Sequence, residues 1–332
     1  MEDYPRNLSE FRDRFATEEA CAAYLAALRW PDGFRCIKCG GSGGWKMSRG
    51  LFLCQDCRCQ ISVTSGTIFH QTRKPLRVWF EAMWHVTNQK YGANALGLQR
   101  ILGFGSYHTA WQWLHRLRRA MVRPMRERLI GVVEVDETYI GGARPGKRGR
   151  GADNKTLVAV AVEDVSILTR KAKGMGRIRL SRIPNASADT LRSFLKENVD
   201  PGGQVRTDGW LGYGPITADG FDHVVVESRE LVITHLTISL LKRWLLGTYQ
   251  GAVRDHQLDY YLDEFTFRFN RRKSASRGKL FYRLVQQSVS VDPVPGREIV
   301  GGSRRKPPIQ AATPAPGSDE TEFDQPQHIG VG

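Results

Sequence analysis

The sequence lacks long apolar runs and has few cysteines. No stretch of about 18 apolar residues occurs, so a transmembrane helix is not expected. The opening residues, MEDYPRNLSEFRDRF, are charged and have no apolar core, so a signal peptide is not expected either. Only 6 cysteines occur in 332 residues, and five of them lie within residues 36–59, unlike the disulfide framework of a secreted protein. These absences favour a cytoplasmic protein with no membrane partner.

Acidic residues are also scarce relative to basic ones. There are 34 Asp and Glu against 49 Lys and Arg, which gives a formal net charge of +15 and a pI near 9.8. Such a surplus attracts polyanions, of which nucleic acid is the commonest in a cell. The chain is long enough for several domains, and its apolar content of 41% is that of a folded protein.

Composition divides the chain into five segments, and together they predict a multidomain protein. Strands that alternate with helices predict an α/β fold for the fourth segment, and a Pro- and Gly-rich composition predicts disorder for the fifth. The segments are an amino-terminal helix (1–29), a Cys- and Gly-rich segment (30–66), a helical region rich in Trp and Leu (75–128), the α/β segment (131–290) and the tail (291–332).

Two cysteine pairs have the spacing of a zinc site. CIKC at 36–39 and CQDC at 54–57 are separated by fourteen residues. Four thiolates from Cys36, Cys39, Cys54 and Cys57 suit tetrahedral Zn²⁺, and a closed site of this kind is structural. The alternatives are two buried or redox-active pairs, or the use of Cys59 in place of Cys57.

Residues 94–121 contain two helical patterns that are broken at GFGS, where Gly103 and Gly105 supply a turn and Ser106 caps the second helix. A helix-turn-helix presents its second helix to the major groove of DNA. The alternative is an ordinary helical hairpin with a solvated basic face. The polar side chains of the second helix are His108, Gln112, His115, Arg116, Arg118 and Arg119.

Two further basic segments are candidates for contact with DNA phosphates. The glycine-rich loop at 141–151 includes Lys147 and Arg148, and residues 268–284 include Arg271 and Arg272. A solvated hairpin tip is the alternative for the loop.

Two aspartates follow apolar strands. Asp136 lies in VVEVDETY, and Asp208 lies in GQVRTDGWLGY. Carboxylates at the ends of neighbouring strands can hold Mg²⁺, although either aspartate taken singly is typical of a turn. The alternation of a strand places Glu134 on the face of Asp136 and Glu137 on the opposite face.

A later helix, residues 232–251, carries an aligned polar stripe on an otherwise apolar sequence. His235, Ser239 and Lys242 stand at i, i+4 and i+7, so they share one face. His235 could complete a metal site with the two aspartates, and Lys242 could bind a DNA phosphate. The alternatives are a core histidine and a lysine at the surface.

Four motifs in order resemble a known family. VDETYIGG, TDGWLGY, LLKRWLLGTYQGAV and YLDEFTFRFNRR are similar to the ISXO-two-like catalytic domain of bacterial insertion-sequence transposases, of the IS-fifteen-ninety-five superfamily. The likeness covers roughly residues 10–290. It implies an α/β RNase H-like catalytic domain that is preceded by a zinc ribbon and a helix-turn-helix.

The resemblance also implies roles for particular residues. Its acidic triad falls on Asp136, Asp208 and His235, with Lys242 seven positions later, and the triad binds Mg²⁺ or Mn²⁺. Histidine stands where the usual third ligand is glutamate. Glu264 is an alternative third ligand, although Arg268 at i+4 is a natural ion-pair partner for it, and Glu227 is another alternative.

The expected function is that of a DNA transposase. It would bind double-stranded DNA at the ends of its insertion sequence, cleave there, and join the 3′ ends to target DNA. The family implies a homo-oligomer on DNA. The alternatives are a zinc-ribbon DNA-binding protein derived from an inactive transposase, and a metal-dependent nuclease without joining activity.

Overall fold

The chain begins with two capped helices. The computed structural model describes residues 2–122, 126–141, 155–166, 174–251 and 253–301. Helix α1 spans Leu8–Arg14 and helix α2 spans Glu18–Arg29. The side chain of Asn7 caps α1, and that of Thr17 caps α2, because each accepts a hydrogen bond from a first-turn amide.

A small antiparallel sheet follows, in the order β1-β2-β3. Its strands are Gly44–Lys46, Phe52–Cys54 and Gln60–Ile61. Trp30, Phe34 and Phe52 pack their rings together, with centroids 4.7 to 5.6 Å apart. So few apolar side chains form only a minimal core, and a domain of this size normally needs a metal or disulfides as well.

Four helices pack together in the next layer. These are α3 (Leu76–Asn88), α4 (Ala95–Leu102), α5 (Tyr107–Ala120) and, from much later in the chain, α9 (Arg277–Ser288). Phe281 of α9 is fully buried in the core that α1, α2, α3 and α5 also form. The chain therefore returns to its amino-terminal helices after the second sheet.

The second sheet has five strands in the order β6-β5-β4-β7-β8. Strand β4 pairs antiparallel with β5 along all nine of its residues and parallel with β7 over three, from Val132↔Gln204 to Glu134↔Arg206. Strand β5 pairs antiparallel with β6, and β7 pairs parallel with β8. The strands are β4 (Val132–Ile140), β5 (Thr156–Asp164), β6 (Met175–Ile183), β7 (Gln204–Thr207) and β8 (Asp222–Val225).

Helices cover both faces of this sheet. Helix α6 (Ala188–Asn198) packs on the face that holds Val133 and Val135. Helices α7 (Val232–Tyr249) and α8 (Leu258–Asn270) pack on the other face, against the valines of β5. None of the described helices combines the length and the apolar character needed to span a membrane.

The described part of the predicted disordered tail is packed, which corrects that expectation for residues 291–301. Val291, Val294 and Ile299 are buried, and Gly296–Gly301 forms helix α10 beside α5. These three apolar side chains are enough to hold a short segment against the helical layer. Residues 302–332 lie outside the described residues.

Candidate active site and zinc centre

Asp136 and His235 meet at the α7 face of the sheet. His235 Nε2 lies 3.2 Å from Asp136 Oδ2, and the side chains are 41% and 17% exposed respectively. Asp136 stands in the middle of β4 rather than at its end, two residues past Glu134, the last residue of β4 that pairs with β7. The site therefore opens where the shorter strand β7 stops.

Asp208 directly follows β7. The parallel register joins residue 134 to residue 206, and two more steps along each strand bring Asp136 level with Asp208. The Asp208 carboxylate accepts a hydrogen bond from the Trp210 amide at 3.1 Å. Gly209 has a φ of +79°, and a Cβ there would lie 2.8 Å from a methyl group of Val225, so the turn after Asp208 favours glycine on two counts.

The donor set suits a divalent metal ion. Two carboxylates and an imidazole are ordinary ligands, and neighbouring ligands of an octahedral ion lie about 3.0 Å apart when each bond is about 2.1 Å. The 3.2 Å between Asp136 and His235 fits this spacing. Within the described ranges, only the four cysteines bring three or more ligating atoms within 4.8 Å of one another. Asp208 therefore lies further than that from at least one of the other two.

The electrostatics of the site favour a bound cation. Burial raises the pKa of Asp136, and the neighbouring charge of Asp208 raises it too, while the Glu137 amide and His235 lower it. Two neighbouring carboxylates that repel each other are stabilised by a positive ion between them.

Lys242 lies near Asp136, and Lys155 lies near Lys242. Burial lowers the pKa of Lys242, the charge of Lys155 lowers it further, and the charge of Asp136 raises it. Lys242 is exposed on α7, and Lys155 is exposed directly before β5. Lys155 was not among the predicted site residues. Its position four residues after the basic loop 141–151 is the signal that could have identified it.

Glu264, the alternative third ligand, is buried and hydrogen-bonded to two arginines and a tyrosine. Its side chain is 1% exposed, and its two oxygens accept hydrogen bonds from Arg118 and Arg268, both at 2.8 Å. Tyr249 donates a third, at 3.1 Å. Arg118 is itself 1% exposed, which corrects the expectation that it contacts DNA: its guanidinium faces the interior.

The remaining predicted DNA contacts are less buried but are engaged with the protein. Arg116 donates to the Val294 carbonyl at 3.4 Å, and Arg271 donates to that of Phe267 at 3.4 Å. Arg272 stacks on Phe269 and donates to the carbonyls of Gly176 and Met175. Arg119 is half-buried and has partners too. Lys147 and Arg148 lie outside the described residues.

The cysteine cluster has the geometry of a zinc site. The Sγ atoms of Cys36 and Cys57 lie 3.6 Å apart, as do those of Cys39 and Cys54. A tetrahedral Zn²⁺ with bonds of about 2.3 Å needs sulfur atoms about 3.8 Å apart. Cys57 is a member of this cluster and Cys59 is not.

Both cysteine knuckles turn in the same way. Gly40 follows the first pair with a φ of +76°, and Arg58 follows the second with a φ of +56°. This left-handed turn lets the chain double back so that both sulfurs of a pair point inward. At Arg58 the sequence pattern gave no indication of it, because arginine rarely adopts this conformation.

Two family models match the chain. The "ISXO2-like transposase domain" matches residues 128–270, and the "Transposase zinc-ribbon domain" matches residues 16–60. The chain therefore combines a domain of the ISXO2-like transposase family with an amino-terminal transposase zinc ribbon. The transposase domain supports an enzyme of the polynucleotidyl transferase type. The predicted resemblance is confirmed.

A relative and a solved structure give further likenesses. The "Uncharacterized protein in transposable element ISH50" of Halobacterium salinarum is 26% identical over 275 residues, which is 76% of this chain and 91% of that protein. A chain of the simian T-cell lymphotropic virus intasome in complex with PP2A regulatory subunit B56 gamma is 16% identical, with a TM-score of 0.31 over 73% of this chain and 78% of that one. At that TM-score the structural likeness carries no argument.

Proposed function

We propose that this protein is a transposase that cleaves double-stranded DNA at the ends of its insertion sequence and joins the 3′ ends to target DNA. Asp136, Asp208 and His235 hold Mg²⁺ or Mn²⁺ for both steps. The observation that supports this most is that His235 Nε2 lies 3.2 Å from Asp136 Oδ2. The register of β4 with β7 places Asp136 level with Asp208. We further propose that residues 131–290 are RNase H-like, which the five-stranded mixed sheet with helices on both faces supports.

In this proposal, some residues of the site bind metal and others bind DNA. When bound, divalent ions activate the attacking oxygen and stabilise the leaving oxygen of an in-line displacement at phosphorus. Asp136, which lies 3.2 Å from His235 and level with Asp208 in the sheet, would hold the metal together with those two residues. Water attacks in cleavage and a DNA 3′-OH attacks in strand transfer, and neither reaction needs a covalent bond to the protein.

Lys242 holds the scissile strand beside Asp136, and Lys155 holds the DNA backbone further along. Both are cationic and exposed, and Lys155 is close enough for its charge to act on Lys242, so a phosphate between them would relieve their repulsion. A lysine binds phosphate as a point charge and does not read the base sequence.

The zinc ribbon and the pair α4 and α5 recognise the element ends. In a helix-turn-helix, the amino-terminal residues of the second helix contact base edges. Tyr107 and His108 of α5 are exposed at that position, whereas most of the helix beyond them is buried or half-buried. Lys147, Arg148 and Arg271 lie in segments that would follow the DNA backbone, and the protein acts as a homo-oligomer on paired ends.

The test is a strand-transfer assay with purified protein, element-end DNA and Mg²⁺ or Mn²⁺. We expect Asp136→Ala and His235→Ala to lose cleavage and joining while they keep DNA binding. Asp222→Ala, which changes an exposed carboxylate on the neighbouring strand β8, is the matched control and should stay active. Cleavage without joined products would indicate a nuclease. Binding without cleavage by the wild type would indicate a DNA-binding protein.

A further inference from the structure

We infer that the two glutamates flanking Asp136 position the other two ligands of the site. Glu134 holds the helix that carries His235, and Glu137 holds the loop that carries Asp208 through the hydroxyl of Tyr213. This inference rests on the proposed function, because it takes Asp208 and His235 as ligands. Neither glutamate needs to touch metal or DNA for this role.

Glu134 anchors the start of α7. Its Oε2 accepts a hydrogen bond from the Thr234 amide at 2.9 Å, and its side chain is buried. The helix has no cap of its own, because Leu231 stands at the N-cap position and no acidic residue lies in the first turn. First-turn amides need an acceptor, and a carboxylate there also suits the helix dipole. The anchored residue is the immediate neighbour of His235.

Glu137 anchors the loop after β7. The buried Tyr213 donates its hydroxyl hydrogen to Glu137 Oε1. The Tyr213 amide donates to the Trp210 carbonyl at 2.9 Å, and the Trp210 amide donates to Asp208 at 3.1 Å. A chain of three hydrogen bonds therefore leads from Glu137 to the Asp208 carboxylate.

Tyr213 is suited to act as the donor in this pair. Burial raises the pKa of its hydroxyl well above the ordinary value, and the charge of Glu137 raises it further. The proton therefore stays on Tyr213, and the carboxylate of Glu137 accepts.

Strand β4 can position both His235 and Asp208 because its successive side chains point to opposite faces of the sheet. Glu134 and Asp136 point to the α7 face, while Glu137 points to the face where Tyr213 lies in the α6 core. Strand β4 is paired with β5 along its whole length, so its three carboxylates are fixed relative to one another. The distances among the three ligands then depend on the two hydrogen bonds, to Thr234 and to Tyr213.

The experiment makes two measurements on the zinc-loaded protein as the Mn²⁺ concentration is varied. One is the amount of bound Mn²⁺, obtained from the electron paramagnetic resonance signal of free Mn²⁺. The other is the yield of strand transfer. Tyr213→Phe removes one donor and Glu134→Met removes one acceptor. We expect each to raise the half-saturating Mn²⁺ concentration about tenfold or more, with joining largely restored at high Mn²⁺. Glu134→Gln and Glu137→Gln keep an acceptor oxygen and should remain close to the wild type.

Tyr249→Phe is the matched control, because Tyr249 also donates to a buried glutamate but at the far end of α7. It should lower the unfolding temperature without a change in Mn²⁺ dependence. If Tyr213→Phe behaves in the same way, the role of Tyr213 is structural and the inference is overturned. Tyr213→Phe also keeps the test decisive if Glu134→Met fails to fold.

Failure of the proposed function is distinguishable from failure of this inference. A wild type that binds Mn²⁺ but joins no DNA, with weaker binding in both variants, would overturn the function and support the positioning roles. Normal joining by the wild type, with unchanged Mn²⁺ binding in both variants, would support the function and overturn the positioning roles. Mn²⁺ binding that survives Asp136→Ala would overturn the inference, because the positioned residues would not form the site.

Discussion

Replacement of Glu264 by alanine separates a structural glutamate from a metal ligand. The substitution removes the carboxylate that both Arg118 and Arg268 contact at 2.8 Å. Arg118 is then a buried guanidinium without its anionic partner. We expect a large loss of stability, with any loss of joining as its consequence.

The magnitude follows from burial. The side chains of Arg118 and Glu264 are 2% and 1% exposed, so solvent cannot replace the lost contact. Removal of one partner from such a pair costs about 3–5 kcal/mol in the free energy of unfolding. For a domain of this size, that corresponds to a fall of roughly 10 °C in the unfolding temperature.

The assay is thermal unfolding by circular dichroism at several pH values, with Mn²⁺ binding measured below the transition. Burial alone would raise the pKa of Glu264, but Arg268 and Arg118 outweigh burial and lower it. A lowered folded-state pKa contributes stability that is present above the unfolded pKa, about 4.3, and is lost as the pH falls through the folded value. The difference in unfolding temperature between the wild type and Glu264→Ala should therefore be largest at pH 6–8 and become smaller only at acidic pH.

Glu227→Ala is the control, because Glu227 is an exposed carboxylate that pairs with exposed Arg229 and was the other alternative ligand. Its loss should change the free energy of unfolding by less than about 1 kcal/mol. If Glu264→Ala unfolds within a few degrees of the wild type but loses Mn²⁺ binding and joining, the reasoning is refuted, and Glu264 belongs to the metal site.

Three further expectations concern the metals and the DNA. Cys57→Ser should lower the bound zinc, measured per chain by atomic absorption, and weaken element-end binding, whereas Cys59→Ser should do neither; equal losses would contradict the zinc assignment. The ratio of joining in Mn²⁺ to joining in Mg²⁺ should fall in His235→Glu, since imidazole binds transition-metal ions more readily than Mg²⁺, and an unchanged ratio would argue against a ligand role. Lys242→Ala should reduce the salt dependence of DNA binding by about one unit of slope, and an unaltered slope would exclude its phosphate contact.

Local patterns predicted the elements of this protein well. The apolar and polar alternation of VVEVDETY matches β4, and the polar stripe at 235, 239 and 242 lies on one helix, α7. Gly103 ends α4 in a left-handed conformation, and Ser106 caps α5, as the break at GFGS predicted. These features depend on residues that are close together in the chain, so they can be predicted from the sequence.

The sequence also predicted the zinc ligands, because their spacing alone brings them together. It favoured Cys57 and left Cys59 as an alternative, and the structure places Cys57 in the cluster, beside the left-handed turn at Arg58. The burial of Arg118 could not be predicted from the sequence. A basic residue on an amphipathic helix is expected at the surface, and only the packing of α8 against α5 supplies the buried Glu264 that pairs with it.

The sequence by itself determined the resemblance to insertion-sequence transposases, the helices and strands, the cysteine cluster and a short set of acidic, histidine and lysine candidates. Only the tertiary structure decided how those candidates group. It brings residues 136 and 235, which lie on different elements, to 3.2 Å, and it places Glu264 in an ion pair with Arg118. The physical reason is that periodicity shows which face a side chain occupies, whereas the partner on the opposing face depends on the strand order and on the helices that cover each side.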